Sequence, residues 1–209
     1  HDPLRRQRQM CIRDRNTAFA ALKTDGSIAV WGNSGSGGSG APTGTGYVNI
    51  FSTTGAFAAL KADGSITAWG STYLGGSNAP TGSGYVNVFS NNVAFAALKS
   101  DGSITAWGDS GSGGSNAPTG TGYVDIFSTQ VAFAALKSDG SITAWGRSDR
   151  GGSGAPTGTG YVNIFTNYYA FVALKSDGSV SVWGDSDYGG SAPNLSLIHI
   201  SEPTRLSTI

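Results

Sequence analysis

Apolar and polar residues alternate along two short stretches that the chain repeats five times. In the second copy these stretches are AFAALK at 56–61 and SITAW at 65–69, and they flank ADG. Alternation over five or six residues predicts β-strands. An Asp-Gly pair between two strands is typical of a tight hairpin turn, because glycine takes the positive φ that the turn needs. The sequence therefore predicts an antiparallel hairpin in every copy.

A third strand and a long loop complete each copy. The segment YVNIF at 47–51 is rich in β-branched and aromatic residues, and four variable residues separate it from the hairpin. After Gly70 comes a stretch of Gly, Ser, Asn and Pro that is too polar and too interrupted for regular structure. We therefore expect three strands and one long irregular loop in each unit.

The units follow one another at a fixed period. The dipeptide Ala-Phe recurs every 38 residues, and the five tryptophans keep the same spacing, at 31, 69, 107, 145 and 183. Self-similarity at such a period is typical of solenoids, propellers and arrays, in which each unit needs its neighbours to bury its faces. We expect Trp69, Trp107 and Trp145 to be buried between neighbouring units and to have a structural role.

Both faces of the predicted strands carry apolar residues. In AFAALK one face presents Phe57 and Ala59, and the other presents Ala56, Ala58 and Leu60. A sheet with one solvated face would alternate more cleanly, whereas stacked propeller blades bury short strands on both sides. We predict an all-β, propeller-like array of five three-stranded repeats, as an incomplete or open ring. The alternative is a β-solenoid, against which the hairpin argues because successive solenoid strands do not fold back to pair.

The repeat resembles that of a known family. The order GAFAALKADGSITAWG at 55–70, followed by a Gly-rich loop and a Pro, is similar to the repeat of the regulator of chromosome condensation family, whose members are β-propellers. It is closer still to the short versions of that repeat in predicted bacterial proteins. The family usually has a longer repeat and a histidine where this chain has phenylalanine, as at Phe57, so the resemblance implies a smaller blade. No residues match the elements with which some members act in guanine exchange or on chromatin.

The two ends of the chain break the repeat. Residues 10–15 (MCIRDR) and 195–200 (LSLIHI) can be encoded by DNA strings that are reverse complements of each other. A protein has no physical reason for that relation, and the pair resembles translated adapter sequence from a fragmented DNA library. We therefore interpret residues 1–15 and 195–209 as artefactual flanks. The five-repeat domain is then 16–194, and we expect it to be a fragment of a longer bacterial protein whose signal-peptide region lies outside this segment.

Setting the flanks aside leaves the first repeat without its YVNIF-like strand. We therefore expect four full units and an incomplete first one, with an unsealed seam between the first and fifth repeats. Neither flank is expected to add a strand to the blade pattern.

Composition matters mainly by what it excludes. Residues 16–194 contain seven Lys or Arg, ten Asp and no Glu, His or Cys, so their formal charge is −3 (7 − 10). No positive cluster is present to neutralise phosphates, so we expect no nucleic-acid partner, and no apolar stretch approaches the length of a membrane span. General acid–base catalysis usually needs His or Glu, so we expect no enzymatic activity and no cofactor. Low charge with many Ser, Thr, Gly and Asn indicates an extracellular or cell-surface location.

Aspartates are the only carboxylates of the repeats. Those that precede the turn glycines are expected to stabilise the turns. Asp185 and Asp187 lie two residues apart in a loop, which is a setting that calcium favours, but Arg147 stands at the place of Asp185 in another repeat. We expect no repeat-wide metal site, and a single calcium ion at Asp185 and Asp187 stays open.

Two windows vary between repeats on this nearly constant scaffold. One is the four residues after Trp-Gly, and the other is the loop before Ala-Phe. Loops on a rigid scaffold usually carry recognition, although drift at unconstrained positions explains the variation equally well. Aromatic and Arg side chains dominate interface energetics, and in these windows they are Tyr73, Arg147, Arg150, Tyr168, Tyr169 and Tyr188. We predict a non-catalytic scaffold that binds a protein or has a structural role at the cell surface; the alternative is a lectin-like propeller whose partner is a surface glycan.

Overall fold

A computed structural model describes the backbone of residues 11–15 and all of residues 17–191. The strands there form five three-stranded sheets in which consecutive strands are neighbours. The strands are β1 (Cys11–Arg15), β2 (Ala18–Leu22), β3 (Ile28–Gly32), β4 (Tyr47–Ser52), β5 (Ala56–Lys61), β6 (Ile66–Gly70), β7 (Tyr85–Ser90), β8 (Ala94–Lys99), β9 (Ile104–Gly108), β10 (Tyr123–Ser128), β11 (Ala132–Lys137), β12 (Ile142–Gly146), β13 (Tyr161–Thr166), β14 (Ala170–Lys175) and β15 (Val180–Gly184). Within the described residues, no helix is long and apolar enough to span a membrane.

The second and third strands of every sheet form the predicted hairpin. In the second sheet, β5 pairs with β6 from Ala56 opposite Gly70 to Leu60 opposite Ile66. Gly64 in the turn has φ +80°, a left-handed conformation that glycine adopts without steric cost. The same register recurs in the other four sheets. The hairpin is confirmed, and because successive strands fold back to pair within one sheet, the solenoid alternative is wrong.

The turn aspartates have the structural role expected of them. Asp63 Oδ1 accepts hydrogen bonds from the Ser65 N–H at 2.9 Å and from the Ser65 hydroxyl at 2.7 Å. These bonds stabilise the charged carboxylate, so they lower the pKa of Asp63 below its usual value. The pKa is lowered by the same two bonds at the four equivalent turns, at Asp25, Asp101, Asp139 and Asp177.

Neighbouring sheets stack face to face in four apolar clusters. In one of them, Phe95 and Trp107 of the third sheet pack against Ala58, Leu60 and Ile66 of the second. The first strands of successive sheets also contact one another, as the innermost strands of a propeller do. An internal sheet is therefore buried on both faces, which explains why both faces of its strands are apolar.

The tryptophans hold the same position at each junction between sheets. Trp69, Trp107 and Trp145 are only 3–4% exposed, which confirms the prediction that they are buried. Each indole N–H donates to a glycine carbonyl in the preceding repeat at 3.0 Å. Trp31 of the first sheet is 45% exposed, because no described sheet lies in front of it.

The first sheet corrects one expectation. β1 pairs with β2 along its whole length, from Cys11 opposite Leu22 to Arg15 opposite Ala18, so the first unit has three strands like the others. The expectation that residues 1–15 add no strand, and that the first unit is incomplete, is therefore wrong. An edge strand offers unpaired N–H and C=O groups that any extended segment can bond, whatever its side chains. Whether the flanks are artefactual stays a prediction, and residues 1–10 and 195–209 lie outside the described part.

The array is open. Within the described residues, no strand pairing joins the first sheet to the fifth. Phe19 on the first sheet is 39% exposed and Phe165 on the fifth is 54% exposed, whereas Phe57 inside the array is fully buried. The expected unsealed seam is therefore confirmed, with an apolar sheet face on each side of it.

Candidate functional site

Both variable windows lie at one end of the propeller, which we call the loop end. One window is the connection between the first and second strands of a sheet, such as 53–55. The other window was expected to be irregular, but in the structure it forms a one-turn 3₁₀ helix after the third strand. The turns are Ser34–Ser36, Thr72–Leu74, Ser110–Ser112, Ser148–Arg150 and Ser186–Tyr188. Antiparallel pairing brings both windows to the same end and leaves the Asp-Gly turns at the other, the turn end.

A side-chain hydrogen bond joins the two windows in four repeats. Thr53 Oγ1 donates to the Leu74 carbonyl at 2.9 Å, and Asn91 Nδ2 donates to the Ser112 carbonyl at 2.7 Å. The other two pairs are Thr129 with Arg150 and Asn167 with Tyr188. Each bond crosses 21 residues of chain, so the two windows form one connected surface rather than two separate loops.

Backbone hydrogen bonds also join the loops of neighbouring sheets. The Thr54 N–H donates to the Asn92 carbonyl at 2.8 Å, and the Asn92 N–H donates to the Gln130 carbonyl at 3.0 Å. The Gln130 N–H continues the series to the Tyr168 carbonyl at 3.0 Å. Each donor pairs with the equivalent residue of the next repeat, so the loops of four successive sheets form a continuous inner rim.

A polar cavity of about 400 Å³ opens on this rim. It is lined by the loops of the third, fourth and fifth sheets through Ser90, Asn91, Asn92, Ser128, Thr129, Gln130, Thr166, Asn167 and Tyr168. All of these side chains are uncharged, so the cavity presents hydroxyl and amide groups without a fixed charge. Tyr168 is the aromatic member of the lining and is 63% exposed.

Four of the six predicted contact residues gather at the loop end of the fourth and fifth sheets, in what we call the aromatic patch: Arg150, Tyr168, Tyr169 and Tyr188. The Arg150 guanidinium lies 4.2 Å from the centre of the Tyr169 ring, and the Tyr188 ring meets the same ring edge-on at 4.8 Å. The ring of Tyr168 lies 6.4 Å from that of Tyr169. Arg150 also forms an ion pair with Asp185. Tyr168 thus belongs to both the patch and the cavity.

Of the other two predicted contacts, Arg147 lies beside the aromatic patch and Tyr73 lies apart from it. Arg147 Nε pairs with Asp149 Oδ1 at 2.9 Å, and this hydrogen bond lowers the pKa of Asp149. Tyr73 is 84% exposed in the 3₁₀ turn of the second sheet. Asp149 Oδ2 also lies 3.5 Å from Arg150 Nε, and the Arg150 N–H donates to the Arg147 carbonyl at 3.1 Å, so Arg147 is joined to the aromatic patch. Among the described contacts, none joins Tyr73 to the patch or the cavity.

The carboxylates considered for calcium have protein partners. Asp185 Oδ1 accepts the Asp187 N–H at 2.9 Å, and its other oxygen contacts Arg150. Across the described residues, no three His, Cys, Asp or Glu side chains are close enough together to hold a metal ion. A calcium ion at Asp185 would have to displace the Arg150 guanidinium, and the site stays a prediction.

Sequence reasoning missed the polar lining of the cavity. It selected the large aromatic and Arg side chains of the variable windows and passed over the amides of Asn91, Asn92, Gln130 and Asn167. The loop before Ala-Phe carried a signal that could have identified this lining, because it is polar in every repeat and recurs every 38 residues. That these loops converge depends on how the sheets stack, which the period alone does not show.

No protein-family model and no curated protein matches the chain. Among solved structures it is similar to the CRINKLY WD40 ectodomain of the Arabidopsis thaliana receptor kinase ACR4, with TM-score 0.59 and 16% identity over 87% of this chain and 66% of that one. For the ectodomain of the Physcomitrella patens receptor kinase CR4 the TM-score is 0.61, with 18% identity over 88% and 52%. For Prp20p from Saccharomyces cerevisiae, the yeast RCC1, it is 0.56, with 15% identity over 83% and 56%.

These likenesses show a β-propeller fold. They support, at the level of fold, the resemblance to the regulator of chromosome condensation repeat. The chain spans between about half and two thirds of the length of these proteins. The open array of five sheets agrees with that partial coverage.

Proposed function

We propose that the chain is a non-catalytic scaffold that binds another protein at its loop end. The observation that carries this proposal is the inner rim, on which the polar cavity and the aromatic patch meet at Tyr168. The rim is held by backbone bonds between sheets and by side-chain bonds between windows. A surface fixed in this way loses little conformational entropy on binding.

The chemistry of the patch suits a protein partner. Tyrosine and arginine are enriched among the residues that contribute most to protein–protein affinity. Arg150 is held between the Tyr169 ring and the Asp185 carboxylate, so its position is set before a partner arrives. Tyr168 stands beside it with most of its surface exposed, ready to be buried in an interface.

Proteins of similar fold support this proposal in kind. The structure of Prp20p is described together with its binding to Gsp1p and histones, and yeast RCC1 has been solved with Kap60 bound. The ACR4 and CR4 structures are ectodomains of receptor kinases. The proposed extracellular or cell-surface location of this chain rests on its low charge and its many Ser, Thr, Gly and Asn residues. The proposed bacterial origin rests on the resemblance of the repeat.

A second candidate function is carbohydrate binding in the cavity. Its lining consists of uncharged amide and hydroxyl groups, which can donate to and accept from sugar hydroxyls. The exposed ring of Tyr168 offers a face on which a sugar could stack. This candidate needs the cavity and Tyr168 but does not need Arg150, which does not line the cavity.

Parallel protein and glycan arrays probed with the purified chain separate the two candidates. The variants are Tyr168→Ala and Arg150→Ala, and the control is Lys137→Ala, which removes a cation from the turn end of the fourth sheet. For a protein partner, each of the first two variants should weaken binding by roughly thirty-fold, and the control should bind normally. For a glycan, Tyr168→Ala alone should lose binding. Normal binding by folded Tyr168→Ala to every captured ligand would refute the loop-end site.

A further inference from the structure

The loop between the first and second strands of a sheet has three successive variable positions with different surroundings. At the first position, a short side chain donates a hydrogen bond to the last carbonyl of the 3₁₀ turn in its own repeat. The residues there are Thr53, Asn91, Thr129 and Asn167. Only Thr and Asn occur at this position in these four repeats, because the side chain must be short and must donate.

The third position is packed between the 3₁₀ turns of neighbouring repeats. The Tyr169 ring has the Arg150 guanidinium of the preceding turn 4.2 Å from its centre and the Tyr188 ring of its own turn at 4.8 Å. Gly55 holds this position in the second repeat, where an added Cβ would lie 2.9 Å from the Leu74 side chain. The neighbouring turns therefore limit the size of the side chain here.

At the second position the fold fixes the backbone and leaves the side chain free. The backbone N–H and C=O groups of both Asn92 and Gln130 belong to the inner rim. Thr54 donates its hydroxyl to the Asn92 carbonyl, but among the described residues the side-chain amides of Asn92 and Gln130 have no hydrogen-bond partner. Both amides are half-buried and line the polar cavity. From the second to the fifth repeat the residues at this position are all different: Thr54, Asn92, Gln130 and Tyr168.

The surroundings of these two amides do not depend on where the array begins or ends. Asn92 belongs to the third repeat and Gln130 to the fourth, and each of these sheets has a described sheet on either side. A side-chain amide offers one acceptor oxygen and two N–H donors. These groups match the N–H and C=O groups of a peptide backbone, so the free amides are suited to hold an extended polypeptide.

We propose that the protein partner inserts an extended, uncharged segment into the cavity and that Asn92 and Gln130 bind its backbone. The inference rests on the proposed function, because it names what the partner places at the loop end. Hydrogen bonds to the main chain supply affinity for extended segments in other modes of peptide recognition. The two amides are held on a fixed backbone, so little conformational entropy is lost when they bind.

The cavity also selects the chemistry of the inserted segment. No charged side chain lines it, so a charged residue of the partner would lose its hydration there without gaining an ion pair, which is unfavourable. The single aromatic ring of the lining, Tyr168, belongs to the fifth repeat. The internal rim positions carry amides and not rings, which favours a peptide backbone over the face of a sugar.

Selection from a displayed library of random linear peptides, with the purified full chain as bait, tests the proposal. We expect the selected peptides to share an uncharged core. Asn92→Ala and Gln130→Ala should each weaken their binding by roughly ten-fold, the loss expected for one or two hydrogen bonds. The control Thr81→Ala, which removes an exposed hydroxyl from the loop before β7, should bind normally.

Two further measurements separate ligand binding from a structural role. Asn92→Asp keeps the size of the side chain but loses its N–H donors and adds a charge, so it should weaken binding more than Asn92→Ala. Circular dichroism melts of the variants at both positions should match those of the unaltered chain, because neither amide holds the fold. A lowered melting temperature together with normal peptide binding would overturn the proposal.

Repeating the selection on Gln130→Glu gives the sharpest result. The new peptides should carry Lys or Arg at one fixed place, because the segment that passes residue 130 then meets a negative charge. Unchanged peptide sequences would overturn the proposal, and so would a library that yields no binding peptide. Peptides that need Tyr168 but neither amide would leave the loop-end scaffold standing and overturn only the backbone contacts proposed here.

Discussion

Replacing Trp107 by alanine tests whether the sheet junctions hold the propeller together. Trp107 is 3% exposed, its ring stacks on Phe95 at 5.1 Å, and its indole N–H donates to the Gly75 carbonyl at 3.0 Å. Truncation removes all three contributions and leaves a cavity between the second and third sheets. Large-to-small substitution of a buried Trp lowers the free energy of unfolding by about 3–5 kcal/mol, of which the lost hydrogen bond accounts for about 0.5–1.5 kcal/mol.

Trp31→Ala is the matched control for this experiment. Trp31 occupies the same position of the repeat and stacks on Phe19 at 5.3 Å, but it is 45% exposed. Its truncation loses mainly the ring stacking, which contributes about 0.5–1.5 kcal/mol. Both variants should be compared at a concentration at which the chain is monomeric, so that association does not add to the stability.

Urea denaturation followed by circular dichroism and by fluorescence measures how much each variant lowers the free energy of unfolding. Two probes are needed because a linear array of sheets can lose cooperativity when one junction is weakened. The milder variant Trp107→Phe keeps most of the packing and loses the hydrogen bond, so its cost should fall between those of the two alanine variants. Equal costs for Trp107→Ala and Trp31→Ala would refute the view that junction burial stabilises the fold.

Three further predictions follow from single contacts. Gly113→Ala should lower the free energy of unfolding by about 2–5 kcal/mol, because the added Cβ would lie 2.7 Å from the Phe133 ring and the backbone has φ +97°. Gly189→Ala should lower it only by the backbone strain, about 1–2 kcal/mol. Similar thermal melts of the two variants would contradict this prediction. Asn91→Ala should cost about 1–3 kcal/mol in urea denaturation, because it leaves the buried Ser112 carbonyl and Ala94 N–H without a partner; an unchanged midpoint would contradict the coupling of the two windows. Because the pKa values of the turn aspartates are lowered in the folded state, their contribution to stability is present above the ordinary value of 3.8 and is lost as the pH falls through the folded values. Asp63→Asn should therefore reduce the dependence of the unfolding free energy on pH below the ordinary value of 3.8, measured by urea titrations at a series of pH values. An unchanged dependence would argue against the turn bonds.

Several features of the fold could be predicted because their causes are local or strictly periodic. The hairpin depends on alternation and on one turn glycine, Gly64, which lie within a few residues of each other. Burial of Trp107 follows from its constant phase in the repeat together with apolar residues on both strand faces. The prediction for β1 was wrong because its pairing has no such local cause. Pairing at a free sheet edge depends on backbone N–H and C=O groups, which every residue type except proline offers alike.

The candidate site could be predicted only in part. Tyr168 and Arg150 were identified because their residue types are common in interfaces, but Tyr73 has the same character and lies elsewhere. The partner of Asp185 is Arg150, which is 35 residues away, and nothing near Asp185 in the sequence points to it.

Apart from β1, the sequence by itself determined the strands, their pairing within each unit and the residues that each sheet turns to its neighbours, because these depend on interactions between residues close in the chain and repeated at a constant period. The tertiary structure alone decided which loops share the inner rim, how large the cavity between them is and which faces stay uncovered at the ends of the array. These features depend on the rotation between stacked sheets. That rotation is set by the packing of a Phe ring on a glycine 20 residues earlier and by the bond from a Trp to the same glycine 32 residues earlier. Alternation along a single strand carries no information about it.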